Sequence, residues 1–374
     1  MAGILYISTI LLGFIFKKSK IVTALIFLSM IIFTVFCYEN ADLGSYSLDY
    51  DLDHFANDNS RYIGYDYLTH VALSLDIPFD GYRTIFYFFT AGLMIAAIRL
   101  LTSQANIVLS FILMSYFGIE AIQMKSFLAD DIVLLAIAIY LHAEENAANR
   151  RYRDFMIPIG LFILAGTIHF SALFYLLTFL LFVFFKDTKK YSRYMLIFSL
   201  LAAGGMAAGG MASGGIIRIL ELISSFGLSS DQGMSYLLGW LDTTTRLGFL
   251  ITYFVVFIIY LILFMERSYR KKHMALQITQ NGISENLLAY IFTIGIMLPL
   301  LYVNVNFDRL FRVYFALIFI YFSRYPLNYR KLTYHELMLG GILFFLCIYE
   351  FFLDIYPFWE GTLGALLVNN LIFL

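Results

Sequence analysis

The sequence predicts an all-α, polytopic integral membrane protein with about 12 transmembrane helices in one bundle. Three observations carry that expectation. Apolar runs recur from Ile4 to Leu374 with charged strips between them. The chain is 61% hydrophobic and its mean hydropathy is +0.80, far above a soluble domain. Threading the runs alternately through a bilayer, N-terminus outside, also sorts the charges. Of the 25 Lys and Arg, all but Arg61, Arg83, Lys125, Arg218, Arg246, Arg309 and Arg312 fall on one side, while 19 of the 26 Asp and Glu fall on the other. Basic residues mark the cytoplasmic side, so the acidic, aromatic loops are expected outside. The net charge of −1 says nothing about partners, because charge is segregated and not in excess. Residues 1–374 are read as a single polytopic membrane domain.

Roughly 20 apolar residues cross a bilayer as a helix, and shorter runs suffice within a bundle. The first run, 4–16, precedes Lys17, Lys18 and Lys20. A cleaved signal peptide carries its positive charge ahead of the apolar stretch, so this run is expected to stay as a helix. Run 21–38 returns outward to a long loop, 38–83, with nine acids (Glu39, Asp42, Asp49, Asp51, Asp53, Asp58, Asp66, Asp76 and Asp80) and seven Tyr. Runs 84–101, 107–121 and 126–142 follow. The basic strips at 150–153 and 186–193 both belong inside, which requires an even number of crossings between them. Residues 155–168 and 170–185 are therefore read as two short helices with an outer turn near Gly166–His169.

Run 194–210 leads to a second outer loop, 211–246. Gly205/Gly209 and Gly210/Gly214 have the spacing that lets helices approach closely, and no phosphate-cradling Gly-Lys-Ser/Thr follows them. Ile216–Phe226 places Arg218, Glu221 and Ser225 opposite Ile216, Ile219, Leu220 and Ile223, an amphipathic pattern suited to the membrane interface. Runs 247–265, 286–303, 310–323 and 337–353 complete the set, and 361–374 is open to crossing, lying flat or packing on the bundle. Cys37 and Cys347 lie in apolar runs and read as small buried hydrophobes.

Chemistry-bearing residues gather at the outer ends. His169, in Gly166-Thr167-Ile168-His169-Phe170-Ser171, reads as a general base, a hydrogen-bond donor or a tie between two helices. Gln123-Met124-Lys125 opens the fifth run, and Gln123 and Asp130 are spaced to share a helix face. Lys125 breaks the positive-inside trend; it either meets an anion or pairs with Asp130 or Glu120. Arg309 and Arg312 break it too, as helix-face neighbours whose forks suit phosphate, or as partners of Asp308 and the loop acids. The Asp49, Asp51, Asp53 alternation fails the EF-hand pattern because His54-Phe55-Ala56-Asn57 follows, and no metal is expected. Tyr46, Tyr50, Tyr62, Tyr65 and Tyr67 among carboxylates would suit sugar rings.

These residues resemble the EpsG-like branch of Wzy-type exopolysaccharide and capsular polysaccharide polymerases. The resemblance runs in order through Asn40-Ala41-Asp42 to Tyr46, Gln123 to Ala129, His169-Phe170-Ser171-Ala172 and Arg309 to Tyr314. It implies a glycosyltransferase that joins undecaprenyl-pyrophosphate-linked oligosaccharide repeats at the outer face of a bacterial cytoplasmic membrane. Within that reading, Lys125, Arg309 and Arg312 bind the pyrophosphate and His169 is the catalytic base. Asp42, Tyr46, Gln123 and Asp130 bind sugar. The partners are the lipid-linked oligosaccharide, the bilayer, a flippase and a chain-length regulator, with no cofactor and no nucleic acid. Two other classes stay open: a polyprenyl-phosphate-sugar glycosyltransferase using a carboxylate of the first outer loop, and a lipid-linked oligosaccharide flippase or transporter.

Overall fold

In the computed structural model the described residues are 1–57, 60, 62–146, 153–184, 246–273, 282–298, 309–324, 334–350 and 359–373, and among them every regular element is helical. The order is α1 Ala2–Ile15, α2 Lys20–Val35, α3 Leu43–Asp51, α4 Ile63–Ser74, α5 Phe79–Leu101, α6 Ala105–Met114, α7 Phe117–Ile122, α8 Met124–Asn146, α9 Arg153–Ile168 and α10 Ala172–Phe184. Then come α11 Arg246–His273, α12 Gly282–Ile291, α13 Ile294–Met297, α14 Arg312–Ser323, α15 Tyr334–Glu350 and α16 Leu363–Val368. Phe79–Leu101 and Met124–Glu144 are long and apolar enough to cross a membrane alone, and apolar helices such as Ala2–Ile15, Lys20–Val35, Ala105–Met114 and Ala172–Phe184 are shorter.

Local chemistry explains several boundaries. Ser19 caps α2 by accepting from the Val22 N–H at 3.3 Å. Pro78 precedes α5 and Asp80 sits in its first turn, where a negative charge meets the positive end of the helix dipole. The run 107–121 is not continuous: α6 stops at Ser115, whose Oγ donates to the Phe111 carbonyl at 2.7 Å, and α7 resumes at Phe117. The two-helix reading of 155–185 holds, with α9 and α10 joined at His169–Ser171.

Helix α8 forms the centre. It packs against α5, α7, α9, α10, α12 and α14, and 78% of its apolar stretch is buried against 44% for α5. Large apolar side chains point outward elsewhere, such as Ile4, Ile7 and Leu11 on α1 and Phe88 and Phe89 on α5. That is the pattern of a bundle solvated by lipid.

The helix ends meet as alternate threading requires. At the basic end, Asn106 donates to the Phe16 and Ser19 carbonyls at 2.6 and 3.0 Å, Arg99 to Thr23 at 2.9 Å and Ser323 to Thr102 at 2.9 Å. Arg267 pairs with Glu285 there at 3.3 Å. At the acidic end the long segment 38–83 is no open loop, because it folds into α3 and α4. Arg83 is buried there and caps α2, donating from Nη1 to the Cys37 carbonyl at 3.0 Å and from Nη2 to the Val35 carbonyl. The stretch 359–373 packs on the same end: the Tyr38 N–H donates to the Asn369 carbonyl at 2.9 Å and the Leu371 N–H to the Phe36 carbonyl at 2.9 Å. A Cβ on Gly118 of α7 would lie 2.8 Å from Leu363, so this contact needs glycine. Run 194–210, residues 211–245 of the predicted loop 211–246 with its amphipathic stretch and Gly pairs, Arg61 and Asp308 lie outside the described residues.

Candidate functional site

Four distant segments converge at the acidic end: α3–α4, the α7–α8 junction, the α9–α10 turn and the start of α14. Each is placed by the backbone. Helix α4 lies on the tip of α9 where Gly64 meets Thr167, an approach so close that a Cβ on Gly64 would collide with the Thr167 hydroxyl. The contact brings the Tyr62 ring over His169, with centroids 5.4 Å apart and planes 15° from parallel. His169 Nδ1 and Ser171 Oγ are 2.6 Å apart, which fixes the imidazole at the turn.

Lys125 enters from the first turn of α8. Its Nζ lies 5.4, 5.1 and 4.7 Å from the ring centres of Tyr46, Tyr62 and Tyr65, within cation–π range of all three. It also pairs with Asp49 at 3.2 Å. Neither Asp130 nor Glu120, the partners considered from sequence, is the acid it meets. Asp49 Oδ1 lies 3.4 Å from His54 Nε2 in turn.

Arg309 and Arg312, neighbours in sequence, do different things. Arg312 is 2% exposed, and its Nη1 donates to Glu120 Oε1 at 2.8 Å and to Gln123 Oε1 at 3.0 Å. It pairs with Glu120 of α7, itself 2% exposed, an acid not among the partners considered for it from sequence. Arg309 is half-buried; its carbonyl accepts from the Tyr175 hydroxyl at 3.4 Å, and its charge reaches Asp42, Tyr46 and His169. Gln123 lies at the α7–α8 junction and not on α8 with Asp130, so its amide serves Arg312. Asp130 is buried within α8, in electrostatic reach of Glu120, Arg312 and Arg309, and its Oδ1 has no hydrogen-bond partner.

The electrostatics divide the titratable groups. Burial, followed by the repulsion of Arg309 and Lys125, pushes the His169 imidazole down to about 3. That direction favours the neutral imidazole at the turn. Burial pushes the Asp42 carboxyl up, against the pull of Arg309 and Lys125. Burial likewise holds the Tyr46 hydroxyl well above its usual range, with Asp42 adding to the effect.

Glu120, Asp49 and Tyr62 take parts other than those expected from sequence: Glu120 meets Arg312 and not Lys125, Asp49 meets Lys125, and Tyr62 stacks on His169. Glu120 had a signal of its own, an acid near the end of an apolar run. Asp49 and Tyr62 had none beyond their loop's composition. Among the described residues no group of three or more His, Cys, Asp or Glu could hold a metal ion. The arrangement offers cations, hydroxyl-bearing rings, a carboxylate and an imidazole around one place, chemistry of the kind that suits an anionic, polyhydroxylated ligand. The sequence model of the EpsG family matches residues 20–359. No curated protein and no solved structure matches the chain.

Proposed function

The chain belongs to the EpsG family, whose role is in membrane polysaccharide biosynthesis, and on that premise we propose that it is a Wzy-type polymerase. Its substrate is an undecaprenyl-pyrophosphate-linked oligosaccharide, and its product is exopolysaccharide or capsule at the outer face of a bacterial cytoplasmic membrane. The observation that carries this reading is the meeting of Lys125 and Arg309 with Asp42, Tyr46, Tyr62, Tyr65 and His169 at the acidic end of the bundle. With about 12 crossings, as the sequence predicts, the distribution of Lys and Arg supports that end lying outside. Arg309 and Lys125 face the pyrophosphate and offset its charge as it leaves. Arg312 supports them from below through Glu120 and Gln123. The tyrosine faces and Asp42 take the sugar, and Asp130 lines the deeper wall. Neutral His169 offers a hydrogen bond to the attacking hydroxyl or the phosphate. A flippase supplies the repeat and a chain-length regulator ends extension.

The deciding experiment is reconstitution. The purified chain in liposomes should convert lipid-linked repeats into a ladder of longer chains. Transfer of one sugar per acceptor, without a ladder, would instead favour a polyprenyl-phosphate-sugar transferase.

Topology is tested separately. A cysteine at exposed Asn57 should react with an impermeant maleimide in intact cells, and one at exposed Lys18 should not. The opposite pattern would invert the orientation and with it the outward site. For His169, a neutral hydrogen bond is worth about 0.5–1.5 kcal/mol. His169→Gln should therefore slow extension by about tenfold or less and leave the pH profile unchanged in shape. A loss beyond about 100-fold, with the acid limb of the profile gone, would return the base role to His169.

A further inference from the structure

We propose that Asp42 is the catalytic base, the group that takes the proton from the attacking sugar hydroxyl; the assignment rests on the polymerase reading above and goes beyond sugar binding. Asp42 stands at the N-cap of α3, where an Asp ordinarily turns its carboxylate onto the first-turn N–H groups. It does not do so here. Asn40 instead holds the chain at the helix start, its Oδ1 accepting from the N–H groups of Asp42 at 3.1 Å and Leu43 at 2.9 Å. The Asp42 side chain makes no capping bond. Its half-buried carboxylate is instead within reach of Arg309 and Lys125, with the Tyr46 and Tyr87 hydroxyls as the other titratable groups that sense it.

The backbone that carries Asp42 is fixed. The Ala41 N–H donates to the Gly361 carbonyl at 3.1 Å, and a Cβ on Gly361 would lie 3.0 Å from that of Ala41. The 359–373 stretch therefore braces the base from behind. A general base gains by partial desolvation, because a carboxylate lifted toward the working pH accepts a proton more readily. The same surroundings act oppositely on His169, and Asp49, the other half-buried carboxylate beside Lys125, is already engaged by Lys125 at 3.2 Å and His54 at 3.4 Å.

The step balances without a co-reactant. The acceptor hydroxyl oxygen forms a bond to the anomeric carbon of the growing chain. The bond from that carbon to the pyrophosphate oxygen breaks, and its electron pair leaves with the lipid pyrophosphate, toward Lys125 and Arg309. The hydroxyl proton passes to an Asp42 carboxylate oxygen and then to outer water.

The test uses the full chain in liposomes with lipid-linked repeats extracted from cells lacking this gene. Asp42→Asn should keep the wild-type membrane level, thermal unfolding and retention of the lipid-linked repeat, while extension slows by about 100-fold or more. Wild-type extension should fall as pH drops and Asp42 takes up a proton, and Asp42→Glu should restore part of the rate with that acid limb displaced. Asp42→Asn extending within about tenfold of wild type would overturn the assignment, as would a loss explained wholly by failure to retain the repeat. Wild-type protein that retains the repeat and never extends it would refute the polymerase reading itself.

Discussion

Arg312→Leu is expected to cost the folded protein and not merely its reaction. The guanidinium and the Glu120 carboxylate are each 2% exposed, 2.8 Å apart, and join α14 to α7. Removing the cation leaves Glu120 buried without its counter-charge, and breaking a buried pair in this way costs about 3–5 kcal/mol. Gln123 loses the donor to its Oε1 as well. Membrane abundance should fall, and thermal unfolding in detergent should begin well below the wild-type temperature. Replacing both partners, as in Glu120→Gln with Arg312→Met, should recover much of the loss, since swapping a whole buried pair for neutral groups is often close to neutral. An Arg312→Leu protein as stable as wild type would show that the pair contributes nothing to the fold.

Arg309→Ala should do the reverse, keeping the fold and losing the reaction. Arg309 is half-buried, and its charge acts on Asp42 and His169. A charge-assisted hydrogen bond to phosphate is worth roughly 1.5–3 kcal/mol, so kcat/KM should drop by about 10- to 150-fold. Arg309→Lys should rescue only part, because the ammonium cannot present two parallel donors. The substitution also has an electrostatic signature. Arg309 helps to push the His169 imidazole down and to hold the Asp42 carboxyl from rising further. Without it both should titrate at higher pH, and the acid limb of the rate profile should move up. Unchanged kinetics and an unmoved profile in Arg309→Ala would remove Arg309 from the site.

Much of the architecture was legible because lipid imposes a simple rule. Hydrophobic length and the side on which Lys and Arg fall are local properties, and they located the helix ends that meet at Asn106, Thr102 and Ser323. The even-crossing rule found the α9–α10 turn for the same reason. The break at Ser115 escaped because one hydroxyl returning to Phe111 leaves the apolar pattern intact. The folding of α3 and α4 escaped because their stability comes from contacts such as Tyr50 with Ile77 and Gly64 with Thr167. In the site, exceptional cations were visible as exceptions, but their partners were not. Spacing makes Arg309 and Arg312 look alike; only the approach of α7, carrying Glu120, separates them.

The tyrosine box around Lys125 bears on the medium in which such a protein would work. An outer surface meets whatever salinity surrounds the cell, and interactions between exposed charges fade beyond a Debye length of about 8 Å at physiological ionic strength, less in brine. Lys125 is held otherwise: its side chain is 13% exposed, three rings surround the ammonium within 5.4 Å and Asp49 lies 3.2 Å away. Mobile ions have little room to intervene at those separations. Salt should therefore weaken the long-range capture of an anionic lipid while leaving the placement of this cation unchanged. A chain built this way would lose encounter rate in a saline medium and keep its turnover once loaded.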